Sequence, residues 1–257
     1  MKSDIFKIAE RKFKSRLIVG TGKYKTMKEC AKAIKISGAD IVTVAVRRVN
    51  ISDKTKPLLM DYINPKKITY LPNTAGCFKA DEAVRVAMIA RELLETNLLK
   101  LEVLLDKKSL LPNESETLKA AEKLVKENFS VMVYTTQNIQ LAKDLENIGC
   151  DAIMPLGSQI GTGQGIKTPS NIRKIIEKAN VPVIVDAGIR TPSDASLAME
   201  MGCEAVLLNT SIAESKNPIK MAEAMKYAVK AGRLSYVAKA MKIKDEASPS
   251  SDKNSPF

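Results

Sequence analysis

Gly149-Cys-Asp-Ala-Ile-Met154 decides the fold. A glycine can adopt the left-handed conformation that closes an α-helix, and the acid then leads into a short apolar run suited to a buried strand. The same device recurs at Gly38-Ala-Asp-Ile41 and at Gly202-Cys-Glu-Ala205. A repeated helix-to-strand junction implies βα units and a parallel sheet, because parallel neighbours need a crossover between them.

Working outward, eight strand candidates alternate with helical stretches. They are Leu17–Val19, Ile41–Val46, Ile68–Leu71, Leu98–Leu104, Val131–Thr135, Ala152–Met154, Val183–Asp186 and Ala205–Leu208. Helical periodicity marks Ala80–Glu95, Glu116–Glu127, Ile139–Ile148, Ser193–Met201 and Met221–Ala231. Eight such units in 257 residues predict an α/β fold, a (β/α)8 TIM barrel of parallel strands in one domain over residues 1–241. From Lys242 the chain has too little apolar content to order itself, and 242–257 are expected to be a flexible tail.

Composition excludes several functions. There is no histidine, so Ser-His-Asp triads, Cys-His pairs and His-ligated metals cannot form within the chain; no metal or other cofactor is called for. The four cysteines, Cys30, Cys77, Cys150 and Cys203, show no paired spacing and read as reduced structural thiols. The net charge is +12, but the lysines are scattered and only six Tyr and five Phe accompany them, so a solvated surface is expected rather than nucleic-acid binding. No run is long and apolar enough to span a membrane, and the charged residues before Arg16 lack a signal-peptide core, which points to the cytoplasm.

One strand candidate carries a charge where packing wants none. In Leu98-Leu-Lys-Leu-Glu-Val-Leu-Leu105, Lys100 and Glu102 share a face while Leu99, Leu101 and Val103 share the other. A buried ammonium must be paired or become a neutral amine, and a neutral amine can attack a carbonyl to form a Schiff base. A Lys-Glu ion pair snorkelling to solvent at a strand end fits these residues equally well.

In a barrel, the loops after the strands build the active site. Here they are Arg47-Arg-Val-Asn50, Pro72-Asn-Thr-Ala-Gly76, the glycine-rich Pro155–Gly165, Asp186-Ala-Gly-Ile-Arg-Thr-Pro192 and Asn209-Thr-Ser211. Glycine-rich backbone lets amides approach an anion, so a phosphate-bearing small molecule is expected.

These stretches resemble thiazole synthase. The matching segments are Val42-Thr-Val-Ala-Val-Arg-Arg-Val-Asn50, Leu71-Pro-Asn-Thr-Ala-Gly-Cys77, Lys100-Leu-Glu-Val103, Met154-Pro-Leu-Gly-Ser158, Val183-Ile-Val-Asp-Ala-Gly-Ile189, Thr191-Pro-Ser-Asp-Ala195 and Val206-Leu-Leu-Asn-Thr210. The resemblance implies condensation of 1-deoxy-D-xylulose 5-phosphate with dehydroglycine and with sulfur from the C-terminal thiocarboxylate of a small ubiquitin-like carrier protein. It makes Lys100 the Schiff-base residue and Glu102 and Asp186 its proton-transfer carboxylates. Gly161, Ala187, Gly188, Asn209 and Thr210 match substrate positions, mainly around the phosphate. A homo-oligomer, by resemblance a tetramer, is implied as well.

Arg47 and Arg48 read either as an attraction for the phosphate or an acidic partner, or as a solvated rim pair; Asn73 and Thr74 read as site donors or turn caps. Leu104 and Leu105, Gln159, and Arg190 depart from the family pattern, where Ile-Gly, Pro and Gly are usual. The expectations are a narrowed barrel mouth, a looser loop, and either stronger or obstructed phosphate binding. Another Schiff-base barrel acting on a phosphosugar, and a non-catalytic relative that binds the carrier, are the alternative readings.

Overall fold

A computed structural model describes residues 4–46 and 59–250, which leaves Arg47 and Arg48 outside the described residues. The chain begins with an antiparallel hairpin, β1 (Phe6–Ile8) and β2 (Arg11–Phe13). The barrel strands follow as β3 (Leu17–Gly20), β4 (Ile41–Ala45), β5 (Thr69–Asn73), β6 (Leu98–Leu101), β7 (Ser130–Thr135), β8 (Ala152–Pro155), β9 (Ile184–Asp186) and β10 (Ala205–Leu208). Their order is β8-β7-β6-β5-β4-β3-β10-β9, all parallel, and bridges Ile153–Val183 and Leu156–Asp186 join the two ends. The expected (β/α)8 barrel is the observed fold.

Helices α1 (Met27–Ser37), α2 (Leu59–Tyr62), α3 (Ala80–Leu94), α4 (Glu114–Lys126), α5 (Ile139–Ile148), α6 (Pro169–Lys178), α7 (Pro192–Glu200), α8 (Thr210–Ala213) and α9 (Pro218–Ala238) fill the connections. Gly38 and Gly149 end α1 and α5 at φ 66° and 106°, the left-handed role that the repeated signature predicts. After α9, residues 239–250 form no helix or strand and are exposed.

Two differences from expectation have local causes. The lysine strand stops at Leu101 because the Glu102 amide bonds to the Thr74 hydroxyl at 2.8 Å, and Val103 then pairs with Cys77 as an isolated bridge. The N-terminal hairpin is unanticipated. Its alternation buries Phe6 and Ile8 and exposes Lys7, and the two apolar side chains join Ile18, Ile41, Leu98, Met132, Ile184 and Leu207 in the barrel interior. Arg16 and Arg233 tie the hairpin down through Asp4 and Glu204.

Phe6→Ala should open a void in this inner core and cost about 3–5 kcal/mol. Urea unfolding checks this, and a loss below about 1 kcal/mol would mean that the hairpin does not contribute to the core.

Candidate active site

Alternation along β6 places its cation. Leu99 and Leu101 pack outward with Ala83, Ala87, Ala120 and Leu124 of α3 and α4, so Leu98 and Lys100 turn into the barrel. On β9, Ile184 faces inward and Val185 outward, so Asp186 also projects inward. Lys100, Glu102 and Asp186 are only 5%, 5% and 3% exposed. The Lys100 Nζ lies 2.6 Å from Asp186 Oδ2, 3.4 Å from Glu102 Oε2 and 5.3 Å from the centre of the Tyr134 ring. Snorkelling is therefore excluded: the lysine is enclosed, and its nearest partner comes from across the barrel.

Burial alone would favour a neutral amine at Lys100, but the carboxylates of Asp186 and then Glu102 outweigh it and raise its pKa. Burial also raises the pKa of both acids, with Lys100 opposing; Asp186 adds like-charge repulsion at Glu102. The arrangement is an ammonium held by two acids that are themselves poised to accept protons. Asp186 lies close enough to exchange a proton with that ammonium directly.

Thr74 fixes this centre rather than lining it. Its hydroxyl accepts from the Glu102 amide and donates to the Glu102 carbonyl, both at 2.8 Å. Asn73 does line the cavity, and its Oδ1 accepts from the Ala75 amide at 3.3 Å.

A cavity of about 1370 Å³ at the C-terminal end of the barrel brings together Lys100, Glu102, Asp186, Gly161, Ala187, Gly188, Asn209 and Thr210. The glycine-rich loop locks onto the loop after β9: the Gly165 amide donates to the Gly188 carbonyl at 2.9 Å. A Cβ at Gly188, where φ is 82°, would lie 2.3 Å from Ser158 Oγ and 2.4 Å from its backbone nitrogen, so only glycine fits this junction. Ala187 precedes it at φ 69°, a conformation that strains a residue with a side chain. Asn209 donates through Nδ2 to the Gly22 carbonyl at 3.0 Å, while its buried Oδ1 has no partner.

The departures resolve individually. Leu104 is buried with Tyr134 and Leu156, Leu105 is exposed, and neither lines the cavity, so the expected narrowing is absent. The Gln159 carbonyl accepts from the Thr162 amide at 3.2 Å and hydroxyl at 2.8 Å, which gives the loop an internal turn. Arg190 lines the cavity, with its side chain lying 3.3–3.5 Å from where a Gly163 Cβ would stand. Lys23, Tyr24 and Ser215 also line it, and sequence reasoning passed over them; the Gly20-Thr-Gly-Lys23 loop after the first barrel strand was the available signal. The cysteines are buried and unbridged, and burial pushes the thiols of Cys30, Cys150 and Cys203 up to about 12. Among the described residues no cluster of acids and thiols could hold a metal ion, and no helix is long and apolar enough to cross a membrane.

A family model described as "Thiazole biosynthesis protein ThiG" matches residues 7–252. A thiazole synthase of Paramagnetospirillum magneticum is 59% identical over 250 residues, spanning 97% of this chain and 77% of the relative. The thiazole synthase of Pelagibacter ubique is 60% identical over 238 residues, 93% of each chain. Among solved structures, a chain of the Amycolatopsis orientalis BexX/CysO complex superposes with a TM-score of 0.83 at 30% identity, covering 94% of this chain and 98% of that one. Thiamine phosphate pyrophosphorylase from Pyrococcus furiosus, at TM-score 0.57 and 16% identity over 84% of this chain and 95% of its own, shares the fold alone.

The buried charges set a pH dependence. Glu102 and Asp186 have raised pKa values in the folded state, so the stability they contribute is full below the ordinary carboxylate range and is lost as pH rises through the raised values. Lys100 offsets that loss. Lys100→Met should therefore cost little at about pH 5 and about 3–5 kcal/mol at about pH 8, measured by urea unfolding. A difference independent of pH would contradict the assignment.

Proposed function

The chain belongs to the ThiG family, the thiazole synthases of thiamine biosynthesis, and from that premise we propose that it condenses 1-deoxy-D-xylulose 5-phosphate with dehydroglycine and carrier-borne sulfur through an imine on Lys100. The observation that carries the reading is the enclosed ammonium of Lys100, 2.6 Å from Asp186 in a cavity flanked by glycine-rich loops.

The first step is proton transfer. Passing the ammonium proton to Asp186 replaces two buried charges with two neutral groups, which burial favours. The free amine then adds to the ketone carbon of the sugar. A carboxylic acid protonates the departing oxygen, water leaves, and an imine forms. The imine draws electrons from the adjacent carbon, so Glu102 or Asp186 can remove a proton there and return it during tautomerisation and ring closure. Gly161, Ala187, Gly188, Asn209 and Thr210 hold the phosphate, which keeps the reacting carbons within reach.

The sulfur donor is a small ubiquitin-like protein with a C-terminal thiocarboxylate, a reading supported by the BexX/CysO complex of the solved relative. We further infer a cytoplasmic protein with residues 1–241 as the barrel and 242–257 as a tail outside it, and, by family resemblance, a homo-oligomer, a tetramer.

Reconstitution with the sugar phosphate, dehydroglycine and thiocarboxylated carrier should yield thiazole phosphate carboxylate, and omission of any one should abolish it. Glu102→Gln and Asp186→Asn should each lower kcat by roughly 10²–10⁴. Turnover of a phosphosugar without carrier would instead identify another Schiff-base barrel, and tight carrier binding with no product a non-catalytic relative.

A further inference from the structure

The loop after β3 has no role in the chemistry above, yet its tip enters the phosphate end of the cavity. Lys23 Nζ lies 3.7 Å from the point where a Cβ at Gly161 would stand. Gly22 accepts the Asn209 side-chain amide at 3.0 Å. At Gly20 a Cβ would lie 2.6 Å from Asn209 Cβ, so glycine lets this loop close onto that residue. Lys23 itself sits at φ 68°, a conformation that costs a lysine roughly 1–2 kcal/mol. Its ammonium rests 2.8 Å from Glu214, the residue that follows α8 and so belongs to the same segment as Thr210. Lys23 thus lies against two other loops at once.

Charge explains what it does there. The buried centre holds one lysine against two acids, an unfavourable field for a phosphate that the cations Lys23 and Arg190 in the cavity lining offset. Lys23 and Glu214 are 43% and 55% exposed, and such a pair is readily exchanged because solvent screens it. A phosphate dianion offers a stronger, charge-assisted partner.

We propose that Lys23 is a substrate-binding residue whose ammonium leaves Glu214 and pairs with the sugar's phosphate beside Gly161. The proposal rests on the reading of the substrate as a phosphosugar.

Lys23→Asn removes the charge with a residue that tolerates the left-handed backbone, and Lys23→Arg retains a cation. By calorimetry, Lys23→Asn should weaken binding of inorganic phosphate roughly tenfold to a hundredfold. It should raise KM for 1-deoxy-D-xylulose 5-phosphate by a similar factor with kcat little changed, as loss of uniform binding requires. Lys23→Arg should recover most of both, and Glu214→Gln should tighten phosphate binding by freeing the lysine. Unchanged phosphate affinity in Lys23→Asn, or a fall in kcat with KM intact, would overturn the proposal. If the parent protein makes no thiazole, the functional reading fails, and phosphate calorimetry alone still decides for or against Lys23.

Discussion

One ammonium enclosed with two carboxylates is the constraint on which the site depends. Three charges in a protein interior are costly unless each has a close partner, and here they share: Lys100 serves Asp186 at 2.6 Å and Glu102 at 3.4 Å. The sharing leaves one negative charge in excess. Burial raises the pKa of both acids, which favours transfer of a proton to them, while the two carboxylates raise that of the lysine, which opposes it. The electrostatic tension that burdens the fold is the one on which the proposed imine at Lys100 draws.

The barrel holds that tension in place. β7 and β8 lie between β6 and β9, so Lys100 and Asp186 meet only because a closed sheet turns both side chains to the centre. Below them Leu98, Met132 and Ile184 fill the interior, and Phe6 and Ile8 seal it from the N-terminal side. Above them the glycine-rich loop and the loop after β9 interlock, which leaves Gly188 no room for a side chain. Apolar packing at one end and backbone-built loops at the other give the charges a dry floor and a polar mouth.

Much of this was legible in the sequence because it depends on short-range rules. Glycine shortly before an acid marks a helix end, and alternation along Leu98–Leu105 places Lys100 and Glu102 on one face. The eight anticipated site residues share one cavity for the same reason: all sit at strand ends or in the loops after them. What sequence hid was pairing at a distance. The sequence places Asp186 at the end of another strand, without showing that it lies closer to Lys100 than Glu102 does. It gives no sign that the Thr74 hydroxyl ends β6 by binding the Glu102 backbone. The hairpin escaped because its apolar content is two residues of alternation amid charge, and Lys23 because its only signal, the short Gly20-Thr-Gly-Lys23 loop, does not show which other loops it meets.

The most direct test of the central claim is borohydride reduction in the presence of 1-deoxy-D-xylulose 5-phosphate, followed by peptide mass mapping. The account predicts one sugar-phosphate adduct, confined to the peptide that carries Lys100 and missing in Lys100→Ala. No adduct, or one that persists in that variant, would contradict it.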